Sequence, residues 1–203
     1  MAEREQESRP RKAILEAATR LFGAQQYHGT TMRDIAREVG VLPGSLYAHI
    51  ESKEALLLEV VNTAFEPVLQ LAAELDASTE PPEARLRAGI IAHVCEVADH
   101  RERALVVLHQ WRYLTGDDYA AVLHKRRRYQ AVFEHIYREG VAQGVFNPEI
   151  TPSDAIFAIL GAVNWVPEWF SPDGSLTPEQ LGSRLADLLL SGLMAPDRSA
   201  AAA

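Results

Sequence analysis

The chain has 203 residues, 47% hydrophobic and 24% charged, with one cysteine (Cys95) and a formal net charge of −8. That is the composition of a globular protein with enough chain for a sizeable core, and it excludes a disulfide-stapled scaffold and a uniformly basic nucleic-acid coat. No uncharged apolar run reaches the ~18 residues of a membrane span, and the acidic, polar start is unlike a secretion signal, so a cytoplasmic protein without a membrane partner is expected.

Apolar residues recur at helical spacing along the chain and no alternating strand pattern appears, so the expected fold class is all-α, with about nine helices. Ser8, Arg9 and Pro10 suit the start of a first helix with the stripe Ile14, Leu15, Ala18, Leu21 and Phe22. Thr31 to Asp34 has capping-box form, with aspartate in the usual glutamate place, and opens a second helix to Val39. Gly40 is placed for a left-handed stop. Pro43 opens a short third helix to His49, and Ser52 caps a long fourth helix to about Leu75. Further helices are expected over 83–99, 102–115, 117–143, 153–166 and 178–194. Turn formers at 76–82, Asn147-Pro148 and Ser171-Pro172-Asp173-Gly174 separate them. Residues 8–53 read as a head, 54–195 as a body, and 1–7 and 196–203 as flexible tails.

The charge is uneven. Between Arg9 and Lys53 basic residues outnumber acidic ones seven to four, whereas from Glu54 onward acidic residues lead twenty-one to twelve. Only the head is suited to meet a polyanion. Within it, Ile35, Ala36, Gly40 and Leu46 have helix-turn-helix spacing. A small residue sits where the helices cross, a glycine at the turn, and Val39, Val41 and Leu46 fix the angle. The short third helix is then presented to a major groove.

The residues that carry this pattern are Thr30-Thr31-Met32-Arg33-Asp34-Ile35-Ala36, Gly40-Val41, Gly44-Ser45-Leu46-Tyr47, His49 and Ser52-Lys53-Glu54. Over about residues 10–60 they resemble the TetR family of bacterial transcriptional repressors. The resemblance implies a three-helix DNA-binding head, a connecting fourth helix, and a helical body that dimerises and holds a small effector. It assigns phosphate contacts to Tyr47 and His49, and to Thr31 and Lys53 at helix starts, where amides and dipole favour anions. Leu42, Pro43, Gly44, Ser45 and Ala48 face the groove. Leu42 and Ala48 offer only apolar contact there, for instance with a thymine methyl, and Arg33 supplies part of the base readout.

The body has its own resemblance. Gln110-Trp111-Arg112-Tyr113-Leu114, Arg126-Arg127-Arg128-Tyr129, Gly144-Val145-Phe146 and Gly161-Ala162-Val163-Asn164-Trp165 through Gly174 are similar to a TetR subgroup regulating fatty-acid, steroid and phenylacetate breakdown. Effectors of that subgroup are acyl-coenzyme A thioesters, so no resident cofactor is implied. Arg126, in the basic run from Lys125, is the candidate for phosphates, aided by Arg101 or Arg103. Trp111, Tyr113, Tyr129, Phe133, Trp165 and Trp169 are candidate lining aromatics, with Arg112 and Glu168 as charges in apolar surroundings. Pro167 should kink or end its helix, leaving Asn164 to satisfy a freed carbonyl or to meet the ligand. Two other readings stand beside this one: a repressor of drug efflux that binds aromatic or cationic compounds, and a DNA-binding protein with no ligand.

No nucleophile elbow or glycine-rich phosphate loop is visible, so no enzyme is expected. The histidines are scattered, and His93 and Cys95, two apart on a helix, do not converge on one metal. The stripes Ile156, Ile159, Leu160 and Val163 with Leu181, Leu185, Leu188 and Leu189 are expected to pair two copies. The resulting homodimer would read a palindromic double-stranded operator.

Overall fold

A computed structural model describes residues 2–196, with side chains from Pro10 onward. Met1 and the tail expected beyond Pro196 lie outside the described residues. Among the described residues the regular elements are helical, and one isolated bridge joins Phe146 to Met194. In chain order they are α1 (Ala2–Gly29), α2 (Met32–Val39), α3 (Pro43–Leu46), α4 (Lys53–Ala77), α5 (Pro82–Asp99) and α6 (Arg101–His109). A 3₁₀ turn (Gln110–Tyr113), α7 (Gly116–Ala142), α8 (Pro152–Asn164), α9 (Val166–Trp169) and α10 (Pro178–Ser191) follow. The all-α expectation holds.

Several boundaries differ from the sequence reading. Helix α1 begins before Ser8, so Pro10 lies inside it rather than in its first turn. The third helix is a single turn that loosens after Leu46 into turn-type bonds, Ala48 N–H to Ser45 O and His49 N–H to Leu46 O. The helix expected over 102–115 tightens at Gln110 into the 3₁₀ turn, which closes with Leu114 N–H on Trp111 O. Pro167 acts as expected: α8 stops at Asn164, and the proline sits in the first turn of the short α9.

The chain divides into two compact units. The first comprises residues up to 66 together with 100–124. Its core holds Ile14, Ala18 and Phe22 of α1, Ile35 and Ala36 of α2, Leu46 of α3 and Leu56, Leu57, Val60 and Val61 of α4. This unit takes in more than the head expected at 8–53. The apolar stripe of α4 is part of the same core, Arg11 forms a bidentate pair with Glu59 (2.8 and 2.9 Å), and Thr115 hydrogen-bonds Glu54. Helix α4 is long and apolar enough, by length and composition, to cross a membrane. Its Leu56, Leu57, Val60 and Val61 are instead buried in this core.

The second unit comprises residues 67–99 and 125 onward. Leu86, Ile90, Val94 and Val97 of α5 are buried there, with Phe133, Ile136 and Tyr137 of α7, Ile156, Ile159 and Val163 of α8, and Leu181, Ala186 and Leu190 of α10. Buried Arg85 ties three segments: its Nε donates to Leu75 O at 2.9 Å and its guanidinium pairs with Glu139. Capping boxes or N-cap bonds at Thr151 and Thr177 start α8 and α10.

Candidate DNA interface and effector site

The head forms as its local signals require. Thr31 Oγ1 accepts from Asp34 N–H at 3.2 Å, and the Asp34 carboxylate accepts from Thr31 N–H at 3.0 Å, completing the capping box. These hydrogen bonds from Thr31 hold the Asp34 carboxyl below the usual range. At the other end of α2, Gly40 adopts φ 79°, and Val41 N–H returns to Ala36 O at 2.9 Å. Ala36, Leu46 and Ile50 are buried and fix the turn from inside.

Everything assigned to DNA in this segment faces solvent: Thr31, Arg33, Leu42, Pro43, Gly44, Ser45, Tyr47, Ala48 and His49 are all exposed. Leu42, at 76% exposure, makes no contribution to the core. The Thr31 hydroxyl donates to the Asp34 carboxylate and accepts from Asp34 N–H, so it is committed to the cap. Lys53 is half-buried, with Nζ 4.1 Å from the centroid of the Tyr27 ring, and burial pulls its pKa down.

In the second unit three candidate effector residues, Tyr129, Asn164 and Phe133, come together around His93, which the sequence reading weighed only as a metal ligand. His93 is buried on α5. Its Nδ1 lies 2.7 Å from the Tyr129 hydroxyl and its Nε2 2.9 Å from Asn164 Oδ1. Tyr129 packs against Phe133 with centroids 5.1 Å apart. Burial, aided by the positive charge of Arg126, outweighs the raising effect of the Asn164 hydrogen bond and brings the His93 pKa down to about 4. Burial likewise pushes the Tyr129 hydroxyl up. At neutral pH the cluster is therefore uncharged. His93 Nε2–H donates to Asn164, and His93 Nδ1 accepts from Tyr129. The sequence did hold a signal for His93: it continues the buried α5 stripe Leu86, Ile90, Val97, where an isolated polar residue must find partners.

Other candidates are placed differently. Trp111 is buried in the first unit and stacks on Tyr119 with centroids 5.0 Å apart; Tyr113 stacks on Tyr27 at 5.4 Å; Arg112 is exposed. Trp165, Glu168 and Trp169 are exposed, as is Phe157. On α8 and α9 the outward stripe is thus Phe157, Gly161, Trp165 and Trp169, while the expected pairing residues Ile156, Ile159, Val163 and Leu181 are buried within the chain's own core. Leu188, at 70% exposure, stays outside. The correction has a simple cause: α8 is apolar on both faces, and its own core claims the more aliphatic one. A groove of about 360 Å³ lies among Ala98, Asp99, Phe170, Pro172, Leu176 and Thr177, and no candidate effector residue lines it.

Comparison with known proteins agrees with this geometry. Residues 14–60 match the family of bacterial regulatory proteins of the tetR type, and residues 79–193 match the tetracyclin repressor-like C-terminal domain. The transcriptional repressor KstR2 of Mycolicibacterium smegmatis is 30% identical over 189 residues, covering 90% of each chain. The structure of AibR in complex with isovaleryl coenzyme A and operator DNA superimposes with TM-score 0.81 and 30% identity, covering 93% of this chain and 100% of that one. The ketosteroid regulator KstR2 of Mycobacterium tuberculosis shares the fold, with TM-score 0.85 at 24% identity over 92% of this chain and 95% of its own. The chain belongs to the TetR family of bacterial regulatory proteins, and it is a DNA-binding transcriptional regulator.

Proposed function

We propose that this regulator is a dimeric repressor released from a palindromic operator by an acyl-coenzyme A thioester. The observation that carries the reading is the likeness, over nearly the whole of both chains, to AibR, which was crystallised with isovaleryl coenzyme A and operator DNA. The chemistry of the second unit fits such an effector. Arg126 is close enough for its charge to act on His93, which forms an uncharged cluster with Tyr129 and Asn164 in which Asn164 engages the ring through its carboxamide oxygen. A guanidinium suits a phosphate, and neutral donors suit a thioester carbonyl better than a free carboxylate.

Two copies meet through the outward stripe Phe157, Gly161, Trp165 and Trp169 with Leu188, whose large apolar side chains are exposed in the single chain. Each copy presents its α3 to one half-site. The thioester binds better to the conformer whose heads mismatch the operator. A coupling of about 1–3 kcal/mol changes DNA affinity roughly five- to 150-fold, and DNA weakens thioester binding by the same factor.

The experiment is a titration of the protein on a duplex selected from a random library. Short-chain, steroid-side-chain and aromatic acyl-coenzyme A thioesters are compared with the matching free acids, coenzyme A alone and cationic dyes. Release by a thioester and not by its acid is expected. Release by dyes alone would transfer the protein to the efflux-repressor reading, and release by nothing would make it ligand-independent.

A further inference from the structure

The helix-turn-helix segment is held between two anchors, residues 27–29 at the end of α1 and Lys53 at the start of α4. The first anchor is irregular. Gln26 has φ 64° and ψ 164°, and it is the one non-glycine residue with positive φ among the described residues. Glycine alone enters that region without strain, and such a conformation persists only where its surroundings enforce it. The break removes Tyr27 N–H from the α1 ladder. It donates instead to Gln110 Oε1 at 2.9 Å. Gln110 is itself buried.

The rest of the segment after α6 grips the same two anchors. Tyr113 stacks on Tyr27 at 5.4 Å and meets His28 edge-on at 4.3 Å. Thr115 donates from N–H and hydroxyl to Glu54 Oε1 at 3.2 and 2.9 Å. Upstream, α6 lies directly against α1: a Cβ at Gly23 would fall 2.7 Å from Glu102 O. Thr30, fully buried, has its hydroxyl within 3.0 Å of Gln26 O, so the backbone at the break also places the residue that precedes the α2 cap.

We propose that Gln110 is a positioning residue for DNA binding: its carboxamide oxygen holds α1 broken at Gln26, and through that bond the segment 110–115 sets the aim of the helix-turn-helix. If the acceptor is withdrawn, the strain at Gln26 is released by returning Tyr27 N–H toward the carbonyl of Gly23, one helical turn back. The chain leaving α1 rotates, and α2 and α3 rotate with it. This inference rests on DNA binding but not on the identity of the effector.

The test uses the full chain and the duplex that the wild type selects from a random library. Gln110→Met keeps the side-chain volume and removes the acceptor. It is expected to weaken binding tenfold or more while the protein stays dimeric and helical. Gln26→Gly/Gln110→Met is expected to return to within threefold of wild type, because glycine keeps the break without a partner. A folded Gln110→Met that binds within twofold of wild type overturns the proposal, as does a loss of thermal midpoint with the affinity of the folded fraction unchanged. Should Gln110→Met be too unstable to assay, the double variant decides alone: it must fold and bind within threefold, and its failure to bind overturns the proposal. A wild type that selects no duplex would strike at DNA binding itself, a result distinct from all of these.

Discussion

The His93 imidazole bridges α7 and α8, with the Tyr129 hydroxyl 2.7 Å from one ring nitrogen and the Asn164 carboxamide oxygen 2.9 Å from the other. Its native pKa of about 4 stands below the ordinary value of 6.5. Above pH 6.5 neither folded nor unfolded chain holds the proton, and His93 leaves stability independent of pH. As pH falls from 6.5 toward 4 the unfolded chain takes up the proton first, so stability is lost across that window, by about 2 kcal/mol at pH 5. Urea unfolding at pH 7 and pH 5 measures the loss. His93→Gln should remove most of the difference between the two pH values, and an unchanged difference would place the acid sensitivity elsewhere.

Salt dependence separates phosphate contacts from base contacts. Tyr47→Ala and Lys53→Ala should weaken selected and unselected duplexes alike. Lys53→Ala should also flatten the log–log salt slope by about 0.9 for each phosphate it releases, roughly twice that for a symmetric dimer. Leu42→Ala and Ser45→Ala should alter which duplexes are selected and leave that slope in place. Fluorescence anisotropy between 50 and about 200 mM salt reads both quantities.

Pairing of two copies depends on the outward stripe of α8. Phe157→Glu should yield monomers by light scattering, with the helical content retained, because Phe157 is exposed in the single chain. Operator affinity should fall by far more than tenfold, since one head makes only half the phosphate contacts. A dimer that survives this change would place the interface on another surface.

Gly140 tests packing in the second unit. A Cβ at this position would collide with the Phe146 ring, which is itself buried and stacked on Tyr137 with centroids 4.9 Å apart. Gly140→Ala should therefore destabilise by about 1–3 kcal/mol or more, as overpacking does. The thermal midpoint should drop by several degrees, with DNA affinity of the folded protein close to wild type.

The head was legible because its signals are local. Thr31 and Asp34 are three residues apart, Gly40 shows its left-handed role in its own identity, and Pro43 marks the start of α3. Each signal acts within a turn or two, and the structure bears out the cap and the stop and leaves the residues of α3 and its flanks, Leu46 apart, exposed. The second unit was legible only in part. Tyr129 and Asn164 stood out by residue type, but their common partner His93 is 36 and 71 residues away from them in sequence, and no periodicity reports such a meeting. The outward stripe of α8 was misassigned because Ile156 and Phe157 are adjacent and both apolar, so hydrophobicity could not say which face the chain keeps for itself. The break at Gln26 and its clasp by Gln110 were invisible, since a positive φ at glutamine has no signature in composition.

The end of the described chain doubles back onto the loop after α7. Asn147 N–H donates to Leu193 O, Ala195 N–H donates to Val145 O, each at 2.9 Å, and Met194 bridges to Phe146 between them. Those three residues act as a latch over the aromatic pair Tyr137 and Phe146. A truncation at Gly192 would unfasten it, whereas a reporter or affinity handle appended after Pro196 would leave it closed.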